Sequence, residues 1–133
     1  MLAGKRALVT GSTSGIGLGI ARALAREGVH VMLHGLGDAS ENERLRSALA
    51  AETGVTVGVH GADVSRPDDV ARLVADTERA LGGIDILINN AGIQFVAAIE
   101  DFPVERWTAI QNIVLNSSFH AIRLVVAGMK QRG

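Results

Sequence analysis

Three short stretches of this sequence carry residue types that bind ligands, and each follows an apolar run. Gly11-Ser12-Thr13-Ser14-Gly15-Ile16-Gly17 has the pattern G-x-x-x-G-x-G. At a strand-to-helix turn that spacing suits a pyrophosphate. One glycine permits a sharp turn, a second lets the backbone approach the phosphates, and a third lets the helix pack close to the sheet. The helix N-terminus then offers free N–H groups to the anion, and Thr13 and Ser14 add hydroxyl donors. The alternative is a glycine-rich turn that binds nothing. No Lys-[Ser/Thr] follows the glycines, so the stretch is not a P-loop. The second stretch is Asp63-Val64, and the third is Asn89-Asn90-Ala91-Gly92 with Gln94 just beyond. Taken alone, Asp63 reads equally as a ligand contact or as an acid shaping a helix start beside Ser65. Asn90 to Gly92 read equally as an ordinary turn, and Gln94 reads more readily as a loop residue.

The elements that must hold these stretches alternate in type. Arg6–Thr10 is a strand, and Gly15–Arg26 a helix with Ile16, Ile20, Ala23 and Leu24 on its apolar side. Val29–His34 is the second strand. Glu41–Glu52 is a helix with Leu45, Ala48 and Leu49 on one face, and Val55–His60 is the third strand. Ser65 is expected to cap the next helix, with Pro67 in its first turn and Val70, Leu73, Val74, Thr77 and Leu81 at helical spacing. Ile84–Asn89 is the fourth strand. Pro103 to Arg132 reads as one long helix, ~40 Å at 1.5 Å per residue, with Trp107, Ile110, Val114, Phe119, Ile122, Val126 and Met129 marking its apolar side. Strands apolar on both faces and separated by helices imply a parallel sheet covered on both sides. Right-handed crossovers make β-α-β-α-β-α-β-α an α/β, Rossmann-type doubly wound fold with expected strand order 3-2-1-4. All three stretches then fall at the C-terminal ends of strands, where such sheets bind ligands.

Composition narrows the function. The chain has 133 residues, 47% of them hydrophobic, enough for one domain with a sizeable core. Thirteen basic residues against fourteen acidic ones, with no basic run, give no support for nucleic-acid or anionic-membrane binding. No apolar run reaches the ~18 residues of a membrane span. The first residues form a strand rather than a signal peptide, so a cytoplasmic location is expected. Cysteine is absent, which excludes disulfides, thiolate metal sites and a cysteine nucleophile. His30 and His34 share a strand face but lie ~13 Å apart, and His60 and His120 have no ligand-spaced companions, so no metal is expected. Tyrosine is absent too.

TGSTSGIG, a lone Asp after the third strand and NNAG, at this spacing, resemble the short-chain dehydrogenase/reductase family across the whole chain. Within it, GSTSGIGLGIA, GADVS, IDILINNAGIQ and IEDFPVERW resemble the bacterial D-3-hydroxybutyrate dehydrogenases. The resemblance implies that Gly11, Thr13, Ser14, Gly15, Ile16 and Gly17 hold the cofactor phosphates. It places Asp63 on the adenine amino group with Val64 as a neighbouring backbone contact. It sets Asn90, Ala91 and Gly92 beside the nicotinamide ribose, and Gln94 on the substrate carboxylate, which a neutral amide donor suits. Residues 1–133 are then the NAD-binding half of such an enzyme, with its catalytic Ser and Tyr-x-x-x-Lys not among them. The implied parent reaction interconverts D-3-hydroxybutyrate and acetoacetate, a small hydroxy acid and keto acid, and the parent is implied to be a homo-tetramer.

The sequence departs from the family in its catalytic residues. The family Asn falls seven residues after Trp107, where this chain has Val114. Asn112 and Asn116 flank that position out of register and on different sides of the helix, while Phe119-His120 keep the family's Phe-His pair. Phe95 stands where these enzymes commonly have histidine. Ser117, Ser118, Lys5 and Lys130 are poor substitutes, so no catalytic residue is assigned. NAD is expected rather than NADP, because Ser14 and His34-Gly35-Leu36-Gly37 offer no guanidinium to a 2′-phosphate. Leu36 is the expected apolar contact on the adenine side. Asp38 reads first as a helix cap with Glu41 and second as a ribose acceptor. Three readings stay open: part of a working dehydrogenase, a non-catalytic nucleotide-binding or scaffold remnant, and a related ketoreductase acting on acyl thioesters.

Overall fold

The computed structural model describes residues 1–133. Strands β1 (Arg6–Val9), β2 (His30–His34), β3 (Val57–His60) and β4 (Ile86–Ile88) form one parallel sheet in the order β3-β2-β1-β4. Helices α1 (Gly15–Arg26), α2 (Ala39–Thr53) and α3 (Pro67–Leu81) make the crossovers, and α4 (Val104–Ile110) and α5 (Ser117–Arg132) follow β4. The α/β Rossmann-type class and the strand order 3-2-1-4 are both present.

The two-residue period of the strands divides the core into two layers. Ala7, Val9, Val31, Leu33 and Val57 point to one face and pack with Ala21, Ala25 and Leu49 of α1 and α2. Leu8 and Met32 point to the other and pack with Val70, Leu73 and Val74 of α3 and with Ala121 and Val125 of α5. Leu8 and Leu33 are fully buried, so truncating either to alanine costs about 2–5 kcal/mol. At the N-terminal end of the sheet, Arg6 grips Asp85 in a two-pronged pair: Nε donates to Oδ2 at 2.9 Å and Nη2 to Oδ1 at 3.0 Å. Arg132 Nε reaches the same Oδ1 at 3.2 Å. One carboxylate therefore ties the starts of β1 and β4 to the end of α5. These donors hold Asp85 at a pKa of about 2, against an ordinary 3.8.

Several local expectations change. The buried stripe of α1 is Gly17, Ala21 and Ala25, with Ile20 and Leu24 beside it, while Ile16 is exposed. Small residues win that face because they let the helix approach the sheet. Helix α2 begins at Ala39 rather than Glu41, because Asp38 Oδ1 accepts from Ser40 N (2.8 Å) and Glu41 N (3.1 Å) and so caps it. Ala48 is exposed on α2 and Leu49 alone is buried. Ser65 does not cap α3. Its N–H and hydroxyl are donated to Asp63, and the N-cap position is Arg66.

The long final helix is interrupted. Between α4 and α5, Gln111–Asn116 form a π-type segment, with the backbone in the right-handed helical region at both of its ends. The hydroxyls of Ser117 and Ser118 donate to the carbonyls of Ile113 and Val114, a back-bonding that widens or bends a helix. The face of α5 that packs on α3 is Ser117, Ala121 and Val125. Phe119, Ile122 and Val126, expected on the apolar side, are 60%, 50% and 39% exposed. Apolar residues occur all around this helix, and the small-residue face is the one that lets α3 come close.

Candidate functional site

The site is built where β1 turns into α1. Gly11 sits at φ 61°, a left-handed conformation that a side chain would strain. A Cβ there would lie 2.9 Å from the Ala91 Cα. Thr10 Oγ1 accepts from the N–H groups of Asn90 and Ala91, both at 3.0 Å. Asn90 Nδ2 donates back to the carbonyls of Thr10 (3.2 Å) and Gly11 (2.9 Å). The loop after β4 is thus locked onto the glycine turn. Gly17 passes beneath this lock with no room for a side chain. Its Cβ would lie 2.5 Å from Asn90 Nδ2, 2.9 Å from the Gly11 carbonyl carbon and closer still to that oxygen.

A second brace joins the turn to β2. Ser12, fully buried, donates its N–H to the His34 carbonyl at 2.7 Å. Ser12 Oγ donates to Val9 O (2.6 Å) and accepts from His34 N (2.9 Å). Thr13 lies across Gly35, where a Cβ would meet Thr13 Cγ2 at 2.7 Å. Helix α1 then starts at Gly15 with Ser14 at its N-cap, no side-chain cap and no acid in the first turn. Its leading N–H groups and partial positive charge therefore have no side-chain partner within the chain.

Beside this turn is an open cavity of ≈ 160 Å³, lined by Gly11, His34, Gly35, Leu36, Ala62, Asp63, Val64, Ala91, Gly92, Ile93 and Ile113. Six of the candidate residues meet on its wall: Gly11, Leu36, Asp63, Val64, Ala91 and Gly92. Thr13, Ser14, Gly15, Ile16 and Gly17 form the adjoining turn and helix start. The Asn90 side chain is spent on the turn's carbonyls, as described above. Gln94 is exposed and does not line the cavity. Its neighbour Phe95 packs edge-on against Phe102, with the Arg106 guanidinium 5.0 Å from its ring centre.

Asp63 shapes the approach to α3 and also lines the cavity. Oδ1 accepts from Ser65 N (3.0 Å) and Ser65 Oγ (2.6 Å), which brings its pKa below the ordinary carboxylate value. Its backbone N–H is held by Asp69 Oδ2 at 3.0 Å. The residue stays ionised on the cavity wall and also shapes the approach to α3. Four contributors were not singled out from sequence. Thr10, Ser12 and Gly35 act through hydroxyls or space, and Ile113 closes the cavity from the π-type segment. A polar Thr-Gly-Ser run directly after an apolar strand was the available signal for the first two. His34 forms part of the floor, 3% exposed, at the end of β2.

No acid/base constellation joins this wall. The chain holds no tyrosine. Val114 faces Gly92, with a Cβ added there falling 3.6 Å from Val114 Cγ2. Asn112 and Asn116 lie on one face, not on different sides: Asn116 Nδ2 donates to Asn112 Oδ1 at 2.9 Å, as a four-residue helical spacing demands. Ser117 and Ser118 are turned to backbone carbonyls. Lys5 lies at the opposite end of the sheet, near Leu2 and Asp85. His60 is the last residue of β3, and its Nε2 is 2.8 Å from Asp76 Oδ2. No three His, Asp or Glu residues are placed to hold a metal ion, and no helix is long and apolar enough to cross a membrane.

Known proteins match both the sequence and this geometry. The short chain dehydrogenase family model matches residues 5–133. The chain is 54% identical over 133 residues to the D-beta-hydroxybutyrate dehydrogenase of Cupriavidus necator, covering 99% of this chain and 50% of that protein. It is 47% identical over 129 residues to the enzyme of that name from Rhizobium meliloti, covering 97% of this chain and 50% of that protein. Among solved structures, L-sorbose reductase from Gluconobacter frateurii, complexed with NADPH and L-sorbose, matches with a TM-score of 0.93 at 34% identity, covering 98% of this chain and 49% of that one. A short chain dehydrogenase from Burkholderia cenocepacia J2315 in complex with NADP matches at TM-score 0.89 and 32% identity, covering 95% and 51%. The chain spans about half the length of the curated relatives it matches. With the glycine turn, the 3-2-1-4 sheet and these matches together, the chain belongs to the short chain dehydrogenase family.

Proposed function

We propose that this chain is the nucleotide-binding half of an NAD-dependent dehydrogenase that interconverts D-3-hydroxybutyrate and acetoacetate. The observation that carries the reading is the junction of three strand ends: the Gly11 turn, with the uncapped α1 terminus adjoining it, opens onto a cavity walled by Asp63-Val64 and Ala91-Gly92. The residues present fit a nicotinamide dinucleotide. Gly11 and Gly17 have no space for a Cβ, which would run into the turn and the loop after β4. They let the turn and α1 pack closely, while exposed Gly15 at φ 56° brings bare backbone to the surface for a pyrophosphate. When bound, such a cofactor supplies a hydride acceptor. Gly15, Ile16 and Gly17 direct N–H groups at its phosphates, with the Thr13 and Ser14 hydroxyls beside them. Asp63 accepts from the adenine amino group, Val64 and Leu36 flank the ring, and Asn90, Ala91 and Gly92 form the ribose side. Gln94 holds the substrate carboxylate in this assignment.

NAD is favoured over NADP by charge. The corner after β2 is Gly35-Leu36-Gly37-Asp38, and Asp38 is held ionised by Ser40 and Glu41. The first arginine after this corner in sequence, Arg44, is turned to Ser40 Oγ at 3.3 Å. A 2′-phosphate would meet the Asp38 carboxylate in that corner, whereas the ribose hydroxyl of NAD would not be opposed. The hydroxybutyrate assignment is supported by the relatives of that name and by the IEDFPVERW segment. The exposed Phe119, Ile122 and Val126 of α5, with β4 at the sheet edge, support a homo-oligomer.

A second reading has one observation in its favour. With Val114 against Gly92 and no tyrosine in the chain, these 133 residues bind nucleotide without turning over substrate. Titration calorimetry of the chain with NAD⁺ and with NADP⁺ tests the shared part of both. Saturable binding, tighter for NAD⁺, is expected. Tighter binding of NADP⁺ would remove the cofactor assignment.

A further inference from the structure

His34 is the one buried imidazole at the cavity, and it touches two loops at once. Its Nδ1 lies 3.0 Å from the Gly11 N–H, and its Nε2 lies 2.8 Å from the Ala62 carbonyl. A backbone N–H only donates and a carbonyl only accepts, so Nδ1 is bare and Nε2 carries the proton. The chain of bonds continues. The Ala62 N–H donates to His60 Nδ1 at 3.1 Å, and His60 Nε2 lies 2.8 Å from Asp76 Oδ2. Gly11, His34, the Ala62 carbonyl and N–H (on adjacent peptide units), His60 and Asp76 therefore form one series of hydrogen bonds, each donating in the same direction along the chain of contacts. It links the glycine turn to the loop that carries Asp63, and that loop to α3.

We propose that His34 is a positioning residue for the nucleotide, whose neutral imidazole fixes the distance between the phosphate turn and the Asp63 loop and whose protonation releases them. The assignment rests on the nucleotide reading above. A proton on Nδ1 would set a donor against the Gly11 N–H, so the turn must move away. Burial disfavours the imidazolium and holds His34 below the ordinary histidine range; the bond to the Ala62 carbonyl opposes this in part, and the nearby His60 adds to the lowering. The charged and titratable groups on the packed elements are His60 of β3, Asp63 and Asp69 of the following loop, and Asp76 with its partner Arg79 of α3. The glycine turn and Ile113 bring none.

The test is NAD⁺ affinity of the 133-residue chain between pH 8.0 and pH 5.0, with the Gly11 amide followed by NMR. His34→Asn puts an amide oxygen near the Nδ1 position and does not titrate. His34→Gln reaches Ala62 instead and leaves Gly11 without an acceptor. The wild-type chain is expected to lose at least tenfold in affinity on acidification, with the Gly11 amide shifting in step. His34→Asn is expected to vary less than threefold, His34→Gln to bind at least tenfold more weakly already at pH 8.0, and His60→Gln to keep the acid loss. A wild-type affinity flat with pH, an acid loss surviving in His34→Asn, or one abolished only in His60→Gln would overturn the proposal. Where His34→Asn does not fold, the wild-type Gly11 amide decides: unmoved while His34 titrates, it overturns the bridge. No NAD⁺ binding at pH 8.0, with the Gly11 amide still following His34, overturns the nucleotide reading and upholds the bridge.

Discussion

Gly17→Ala is the sharpest single perturbation of the site, and Gly19→Ala is its internal control. Both positions lie in α1, and alanine is favoured over glycine in a helix by about 1 kcal/mol. At Gly19 a Cβ meets nothing within 4 Å, so the helix gain stands alone. At Gly17 the same atom falls 2.5 Å from Asn90 Nδ2 and closer still to Gly11 O. Overpacking of that kind costs about 1–3 kcal/mol. The two Asn90 bonds to Thr10 O and Gly11 O would also break, at about 0.5–1.5 kcal/mol each. Offset by the helix gain, Gly17→Ala is destabilising by about 3 kcal/mol, while Gly19→Ala is stabilising by up to about 1 kcal/mol. In a chain of this size the first lowers Tm by roughly 10 °C and the second raises it by a few degrees. Thermal unfolding by circular dichroism reads both, and calorimetry with NAD⁺ reads at least a tenfold loss of affinity for Gly17→Ala alone. Equal melting temperatures for the two variants would refute the close approach of α1 to the loop after β4.

Other expectations follow from particular groups. Asp85 has a folded pKa of about 2 against 3.8 unfolded, so its contribution is present above pH 3.8 and fades as pH falls towards 2. After screening at its partly exposed rim this amounts to about 1–2 kcal/mol. Asp85→Asn should therefore unfold more easily at pH 7 and show a flatter acid limb in urea titrations; unchanged stability at pH 7 would discount the Arg6–Asp85–Arg132 tie. The exposed Phe119, Ile122 and Val126 face should drive association at ~50 μM, in the micromolar range where exposed apolar surface tells, and a single monomer boundary in sedimentation velocity would contradict this. With no tyrosine and Val114 against Gly92, the 133-residue chain should not oxidise D-3-hydroxybutyrate. NADH absorbance rising at a turnover above about 1 s⁻¹ would show that a residue within these 133 supplies the base.

The sheet order and the glycine turn were legible because they rest on short-range signals. Glycines at positions 11, 15 and 17 and apolar strands of 5–6 residues separated by helical spacings all act locally. Asp38 was legible as a cap for the same reason. The braces between loops were not. Thr10, Ser12 and His34 act on residues tens of positions away, so no local pattern marks them. The faces of α1 and α5 were misread because both helices carry apolar residues on several sides. Packing against the sheet or α3 selected small residues, Gly17 and Ala21 in one case and Ser117 and Ala121 in the other. Ser65 was a plausible cap by type, but the Asp63 carboxylate two residues earlier captured its hydroxyl. The π-type segment, beside which the hydroxyls of consecutive serines bond back to their own helix, leaves the apolar spacing unchanged, so a periodicity argument passes over it.

The central claim is that a nicotinamide dinucleotide lies across the C-terminal ends of β1, β3 and β4. Amide chemical-shift mapping of the chain with added NAD⁺ tests it most directly, because it reports where the ligand sits without requiring turnover. The account predicts saturable shifts at Gly11, Gly15, Ile16, Gly17, Asp63, Val64, Ala91 and Gly92, and weaker ones with NADP⁺ at equal concentration. Shifts confined to the opposite end of the sheet around Leu2, Lys5 and Arg132, or no shifts at saturating NAD⁺, would contradict it.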